Sequence, residues 1–269
     1  MYKLIAIDMD GTLLNKNKQI TSRTYSAIQD AKAAGIKIVL ASGRPLEGLQ
    51  PYLEYLGLIA EDDFVISYNG SRIQRVGNGK VLHEATLHGS DAKILHKIAT
   101  EFNVFIHAFS ITDGLIAHKN NPWTDIESTV NGVPVCEMDF QQLDDNNALI
   151  KIMLVGEPEA LDKVVVNLPA SLKDNYTVLR SEPFFLEFLH IDSNKGTAVE
   201  HLANIMCLDA AQVMCIGDAG NDHHMLSFAG FAVAMGNATL ETKALADYIA
   251  PSNDQDGVAV AIEVYALQK

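Results

Sequence analysis

Asp8 and Asp10 stand one residue apart in Ala6-Ile7-Asp8-Met9-Asp10-Gly11-Thr12-Leu13-Leu14, immediately after an apolar run. Two carboxylates so spaced can chelate a divalent cation, or divide the work of nucleophile and acid between them. A calcium loop of the EF-hand type competes for this pattern, but its glycine position holds Leu13 and its closing glutamate position holds Gln19. Ser42-Gly43-Arg44 ends a second apolar run, where a hydroxyl and free backbone N–H groups at a helix entrance suit a phosphate oxygen. Taken alone, Ser-Gly is as readily a plain turn or a cap. Lys195, in Asn194-Lys195-Gly196, offers a compact charge to a transferring phosphoryl group, although most lysines simply lie in water. Gly217-Asp218-Ala219-Gly220-Asn221-Asp222 closes a further apolar run with two carboxylates and an amide, and His223 at the glycine position again excludes an EF-hand. Helix capping accounts for Asn221 or Asp222. It accounts poorly for Asp218, because a carboxylate directly after a buried strand needs a cation or donors.

These groups need elements to hold them. Leu4 to Asp8, Ile36 to Ala41 and Phe64 to Ser67 read as short buried strands. Between them lie a helix capped by Thr21 or Ser22 and stopped by Gly35, and a second helix ending near Gly57. Such alternation predicts an α/β fold with a parallel sheet flanked by helices. From about His83 to Leu189 the texture changes to period-two runs at Val104 to Phe109, Leu115 to His118, Ile150 to Val155, Tyr176 to Arg180 and Phe184 to His190. With helices at Ser90 to Phe102 and Pro158 to Asn167, this predicts an α+β insert whose antiparallel sheet has one wet face. The first texture returns with a helix from Lys195 to Met206, strands at Val213 to Ile216 and Phe231 to Met235, a helix from Asn221 to Phe228, and a last helix from Gly257 to about Leu267. Residues 1–82 and 190–269 are thus expected to form one discontinuous core domain, with 83–189 as the inserted domain.

Composition limits the partners. Of 269 residues, 34 are Asp or Glu and 20 are Lys or Arg, a net charge of −14, which argues against holding a nucleic acid or an anionic membrane surface. No apolar run approaches the ~20 residues of a membrane span. The stretch after Met1 carries no basic, apolar and small-residue succession of a secretory signal, so a cytoplasmic protein is expected. Cys136, Cys207 and Cys215 cannot all pair and have no zinc spacing, which fits core thiols in a reducing compartment.

The four motifs, in this order, resemble those of the haloacid dehalogenase-like (HAD) phosphohydrolases: D-x-D-G-T-L at Asp8 to Leu13, Ser42, Lys195, and G-D-x-x-N-D at Gly217 to Asp222. The insert falls where that family carries its C2 caps, and its length and strand pattern resemble the C2B cap of the Cof subfamily. Ser67 to Gly70, Asn194 to Thr197 and Phe231 to Ala238 extend the likeness over nearly the whole chain, most closely to the YidA-type sugar phosphatases. The resemblance implies a Rossmann-like core and a Mg2+-dependent phosphatase for small phosphorylated metabolites, with sugar phosphates foremost. Asp8 would be the nucleophile that becomes an aspartyl phosphate, and Asp10 the acid and then the base. Asp8, the Asp10 carbonyl and Asp218 would hold Mg2+. Met9 and Gly43 through N–H groups, Ser42, Lys195 and Asn221 would meet the phosphate, while Asp222 would orient Lys195 or a metal-bound water. The cap would act as a lid.

Some residues depart from the pattern. His223 and His224 are adjacent, and neighbours on a helix point about 100° apart, so packing or surface roles are expected in preference to a shared ion. Ser193 stands where relatives often carry an apolar residue. Trp123 is expected to anchor the insert rather than stack on a substrate. Two other functions compete, a phosphosugar mutase and a phosphoacceptor switch of the response-regulator kind. Asp10 speaks against the switch, because it would speed the loss of a phosphoryl group, and retention of phosphate on the sugar would mark the mutase.

Overall fold

A computed structural model describes residues 2–269. The chain divides into two compact units, one of Met1–Leu46, Gln50–His83 and Asn194–Lys269, the other of Glu84–Ser193 with Glu47–Leu49.

The first unit opens with β1 (Leu4–Ile7), four buried apolar residues. A run this short and this uniformly apolar has no wet side, which is the mark of a strand covered on both faces. α1 (Ser22–Ala33) follows, its N-terminus capped by the Thr21 side chain, which accepts from the Thr24 N–H, and its inner face made by Thr24, Ala27, Ile28 and Ala31. Then come β2 (Lys37–Ala41), α2 (Leu46–Tyr55) and β3 (Phe64–Ser67). Next are β4 (Arg72–Arg75), antiparallel to β3, and β5 (Val81–Glu84). This β4–β5 extension falls outside the sequence expectation, because its polar, short runs lack the apolar signature of the parallel strands.

The second unit runs β6 (Leu87–His88), α3 (Gly89–Glu101), β7 (Phe105–Ser110), β8 (Gly114–Ala117), α4 (Pro122–Asn131), β9 (Val135–Glu137), β10 (Ala148–Val155), α5 (Pro158–Asn167), α6 (Ala170–Asn175), β11 (Tyr176–Glu182) and β12 (Phe185–His190). Its sheet has the order β11-β12-β10-β7-β8-β9, with β6 on β10. Pairing is antiparallel except between β8 and β9. One face packs Ile106, Ala108, Ile152, Leu154 and Phe188 against Leu95 and Ala99 of α3 and Leu161 and Val164 of α5. The other face is not wet, which corrects the sequence expectation. Lys151 is 2% exposed there and bonds at 3.1 Å to Glu127 of α4 and at 3.4 Å to Glu187 of β12. His107 is buried between Thr124 of α4 and Met153. Polar residues at alternate positions therefore face a partner helix instead of solvent. Trp123 stacks on Phe184 at 5.4 Å and packs on Met153, Val155 and Phe185 of that face, the anchoring expected of it.

The chain then returns to the first unit with α7 (Lys195–Ile205), β13 (Val213–Gly217), a single 3₁₀ turn at Gly220–Asp222, α8 (His223–Phe228), β14 (Phe231–Ala234), α9 (Leu240–Lys243), β15 (Tyr248–Ile249) and α10 (Gly257–Ala261), which widens into a π-type turn over Ile262–Ala266. The eight strands lie in the order β15-β14-β13-β1-β2-β3-β4-β5, and β15 to β3 run parallel. Progress along the chain goes from β1 towards β2 on one side and from β13 towards β14 on the other. The order thus reverses between β1 and β13, and the carboxyl ends of the strands at such a reversal are where open α/β sheets bind ligands.

Candidate active site

Asp8 is the first residue beyond β1, its N–H still bonded to the Ile216 carbonyl at 3.0 Å, so it leaves the sheet at a fixed point beside β13. The following loop winds back on itself through Leu13 N–H to Asp8 carbonyl at 3.2 Å and Leu14 N–H to Met9 carbonyl at 2.9 Å. Gly11 has φ +89°, and a Cβ there would stand 2.4 Å from Asp218 Oδ2. Only glycine lets this loop approach the carboxylate after β13.

Lys195 begins α7, and Asn194 caps that helix through the Thr197 N–H. The ammonium is fully buried, 2.5 Å from Asp8 Oδ1 and 2.7 Å from Asp222 Oδ1. Asp222 uses its second oxygen on the N–H groups of Asp218, at 2.9 Å, and Ala219, at 3.1 Å. Asp218 accepts from the Thr12 hydroxyl at 3.0 Å and from the Asn237 amide at 3.5 Å, and the same amide holds the Gly11 carbonyl at 2.8 Å. Oxygens of Asp8, Asp218 and Asp222 lie within 4.8 Å of one another. Like charges at that range repel by about 3 kcal/mol at an effective dielectric near 20. Burial, then the Asp222 charge, accordingly push the Asp8 carboxyl well above its usual range against the pull of Lys195. Burial and Asp222 raise Asp218 too, with Thr12 opposing. Burial disfavours the Lys195 ammonium, but Asp222 and Asp8 outweigh it and hold the charge. One ammonium among three carboxylates leaves a site that calls for a further cation.

Ser42 follows β2 and is 2% exposed, and its hydroxyl accepts the Arg44 N–H at 3.2 Å. Its carbonyl takes the N–H of Asn69, a buried residue at φ 54° whose amide lies 2.9 Å from where a Gly43 Cβ would be. Asn69 Oδ1 accepts from the Asn221 amide at 3.0 Å. The Ser42-Gly43 loop and the loop after β13 are thus joined through the turn after β3. The carboxylate of Asp10 has other partners: Arg44 Nε donates to Oδ2 at 2.8 Å, Nη2 to Oδ1 at 2.7 Å, and Lys18 Nζ to Oδ1 at 2.6 Å. Burial raises the Asp10 carboxyl, but bonds and charge from Arg44 and then Lys18 prevail and hold it below the usual range.

The structure therefore gathers Asp8, Lys195, Asp218 and Asp222 into one bonded cluster and ties Ser42, Gly43 and Asn221 together through Asn69. His223 bonds to the Thr242 hydroxyl at 2.9 Å, and His224 is exposed. Arg44, Asn69, Thr12, Lys18 and Asn237 are the residues that sequence reasoning leaves without a role. Arg44, Asn69, Thr12 and Asn237 lie inside motifs that it quotes, but adjacency in a motif does not reveal a side-chain partner.

Residues 5–262 match the model of the haloacid dehalogenase-like hydrolases. The chain belongs to this family. It is 40% identical to the Bacillus subtilis (strain 168) protein YxeH, provisionally named a phosphatase, over the full length of both chains (100% of each). It is 31% identical to 5-amino-6-(5-phospho-D-ribitylamino)uracil phosphatase YcsE of the same organism, over 98% of this chain and 96% of that one. Among solved structures, a haloacid dehalogenase-like hydrolase from Bacteroides thetaiotaomicron superposes with a TM-score of 0.87 at 33% identity, covering 98% of this chain and 99% of the other. The chain is accordingly an enzyme of the hydrolase class with the haloacid dehalogenase-like fold.

Proposed function

We propose that this haloacid dehalogenase-like phosphatase hydrolyses small phosphomonoesters, sugar phosphates foremost, through an aspartyl phosphate on Asp8, with Mg2+ as cofactor. The observation that carries the reading is the buried Asp8–Lys195–Asp222 cluster at the carboxyl end of β1. In the first step the ionised Asp8 attacks phosphorus, the bond to the leaving oxygen breaks, and Asp10, which must first take up a proton against the pull of Arg44 and Lys18, gives that proton to the oxygen. In the second, Asp10 takes a proton from the water that attacks the acyl phosphate, and Asp8 is regenerated. Ser42 through its hydroxyl, Met9 and Gly43 through N–H groups, and Asn221 through its amide hold the phosphate oxygens, while Lys195 offsets their charge. Asp222 positions Lys195 and turns the Asp218 and Ala219 N–H groups, which explains why both of its oxygens are occupied.

A donor set made only of oxygens, with its carboxyls raised by mutual repulsion, fits a hard divalent cation. Asp8, the Asp10 carbonyl and Asp218 are the groups that would hold Mg2+, which when bound supplies Lewis-acid charge to the phosphoryl oxygens. A small phosphorylated metabolite as substrate is supported by the name of YcsE, which specifies a phosphorylated ribityl chain. Selection among leaving groups falls to residues 83–189, which the chemistry above does not use. A cytoplasmic setting is supported by three cysteines left as free thiols, although only Cys215 is buried while Cys136 and Cys207 are exposed, which corrects the expectation of core thiols. No helix among the described residues is long and apolar enough to cross a membrane.

Inorganic phosphate released from a panel of phosphorylated metabolites tests the proposal. Purified protein should act on several sugar phosphates, lose that activity in EDTA and regain it with Mg2+, and Asp8→Asn should be inactive with an unchanged circular dichroism spectrum. Full activity of Asp8→Asn would overturn the mechanism, and phosphate kept on the sugar would redirect it to a mutase.

A further inference from the structure

We propose that Arg44 is the positioning residue that aims the Asp10 carboxylate at the leaving group; the inference rests on the acid and base role given to Asp10 above. Asp10 lies in the loop after β1, with two free side-chain torsions and no element of its own to hold them. The Arg44 guanidinium meets it as a fork, Nε on Oδ2 at 2.8 Å and Nη2 on Oδ1 at 2.7 Å. Two parallel bonds fix the plane of a carboxylate as well as its direction, which a single point charge cannot do. Lys18 also reaches Oδ1, but its side chain is 59% exposed on a flexible stem, whereas that of Arg44 is 13% exposed.

Arg44 is itself held from several sides. Its N–H donates to the Ser42 hydroxyl at 3.2 Å, its carbonyl accepts the Tyr68 N–H at 3.1 Å, and its guanidinium lies 5.8 Å from the centre of the Tyr52 ring. Ser42 and Gly43, the proposed phosphate contacts, immediately precede it. One three-residue segment therefore sets both the phosphate and the group that must protonate the departing oxygen, and supporting bonds of this kind fix the working geometry of such a site. The fork also distinguishes the two oxygens of Asp10. Among the described residues Oδ1 accepts from Arg44 and Lys18, and Oδ2 from Arg44 alone. With about two acceptor positions on each oxygen, the remaining one is on Oδ2, so the proton is exchanged there.

An alkyl phosphate needs a proton on its leaving oxygen, whereas 4-nitrophenyl phosphate departs without one. kcat/KM reports the steps through leaving-group departure, so the ratio of alkyl to aryl kcat/KM isolates the acid function. In Mg2+-loaded enzyme, Arg44→Met should lose about 10²-fold on a hexose 6-phosphate and at least about ten-fold less on the aryl ester, and Arg44→Lys should not restore the ratio. The double variant Arg44→Met, Asp10→Asn should show no further loss of the ratio beyond Asp10→Asn alone, because Arg44 acts only through Asp10. Equal losses on both esters, or a full additional loss in the double variant, would overturn the proposal, with thermal melting used to confirm that each variant is folded. If Asp10→Asn itself leaves the ratio intact, the acid role of Asp10 fails. If it collapses the ratio and Arg44→Met does not, only the role of Arg44 fails.

Discussion

Lys195 sits with no exposure to solvent between Asp8 and Asp222, its ammonium donating to Oδ1 of each. Deleting one partner of a buried ionic cluster leaves charge without compensation, at a cost of roughly 3 to 5 kcal/mol. Lys195→Met should therefore lose activity and also melt about 10 °C lower, taking ~2 to 4 °C per kcal/mol for a chain of this size. Asp8→Asn acts in the other direction. It removes a carboxylate that burial and Asp222 already disfavour, so in metal-free buffer its melting temperature should equal or exceed that of the parent. Thermal denaturation followed by circular dichroism checks both, and a stable Lys195→Met would show that the cluster is not the electrostatic keystone described. At this scale type and position singled out Asp8 and Asp218, whereas Lys195 stood out only through the family resemblance, since most lysines lie in water. The sequence was silent on Arg44, whose partner Asp10 lies 34 residues away in the chain and is not marked by any spacing.

The strands of the first unit were readable because an uninterrupted apolar run of four or five residues fits little else than a strand covered on both faces. The second unit was harder. Period two in β7 and β10 reveals which residues share a face, but not what that face meets, and Lys151 or Glu187 looks solvated until Glu127 arrives from α4. Signals for α4 existed, with Asn121 capping the helix, Pro122 in its first turn and Gly132 in the left-handed stop position. The polar composition of the helix hid them. His107 gives this arrangement a test. It is fully buried on Thr124 and Met153, and burial, then Lys151, lowers its pKa to about 3 from an ordinary 6.5. Between those values the unfolded chain binds a proton that the folded chain does not, so stability must rise with pH across the window and be lost as pH falls through it. The slope is on the order of 1.4 kcal/mol per pH unit. His107→Gln should flatten the fall of melting temperature between pH 6 and pH 4, in a series of melts at fixed ionic strength, relative to the parent chain. An identical pH profile in the two would mean that His107 is not held neutral.

A net charge of −14 works against holding polyanions, and four of the 34 acidic residues, Asp8, Asp10, Asp218 and Asp222, stand in the loops at one end of one sheet. A dianionic phosphate enters such a field only when cations and aligned N–H groups reverse it locally. If the acidic cluster is the metal site, Mg2+ at about 100 times its dissociation constant should stabilise the fold by about 2.7 kcal/mol, a rise in melting temperature on the order of 5 to 10 °C. Asp218→Asn should lose most of that rise, and EDTA should reverse it in the parent. A parent chain whose melting temperature ignores Mg2+ would remove the metal from the proposal. The sequence alone determined the inventory of the site and the local elements that bear it, since side-chain type, apolar runs and caps act over a few residues. Tertiary structure alone decided the pairings: Lys195 with Asp8 across 187 residues, Asn221 with Asn69 across 152, and Arg44 with Asp10. The reason is physical. Which strands become neighbours depends on how the whole sheet buries its two faces, and only when β13 docks beside β1 do carboxylates distant in the chain come close enough to repel, pair and call for a cation.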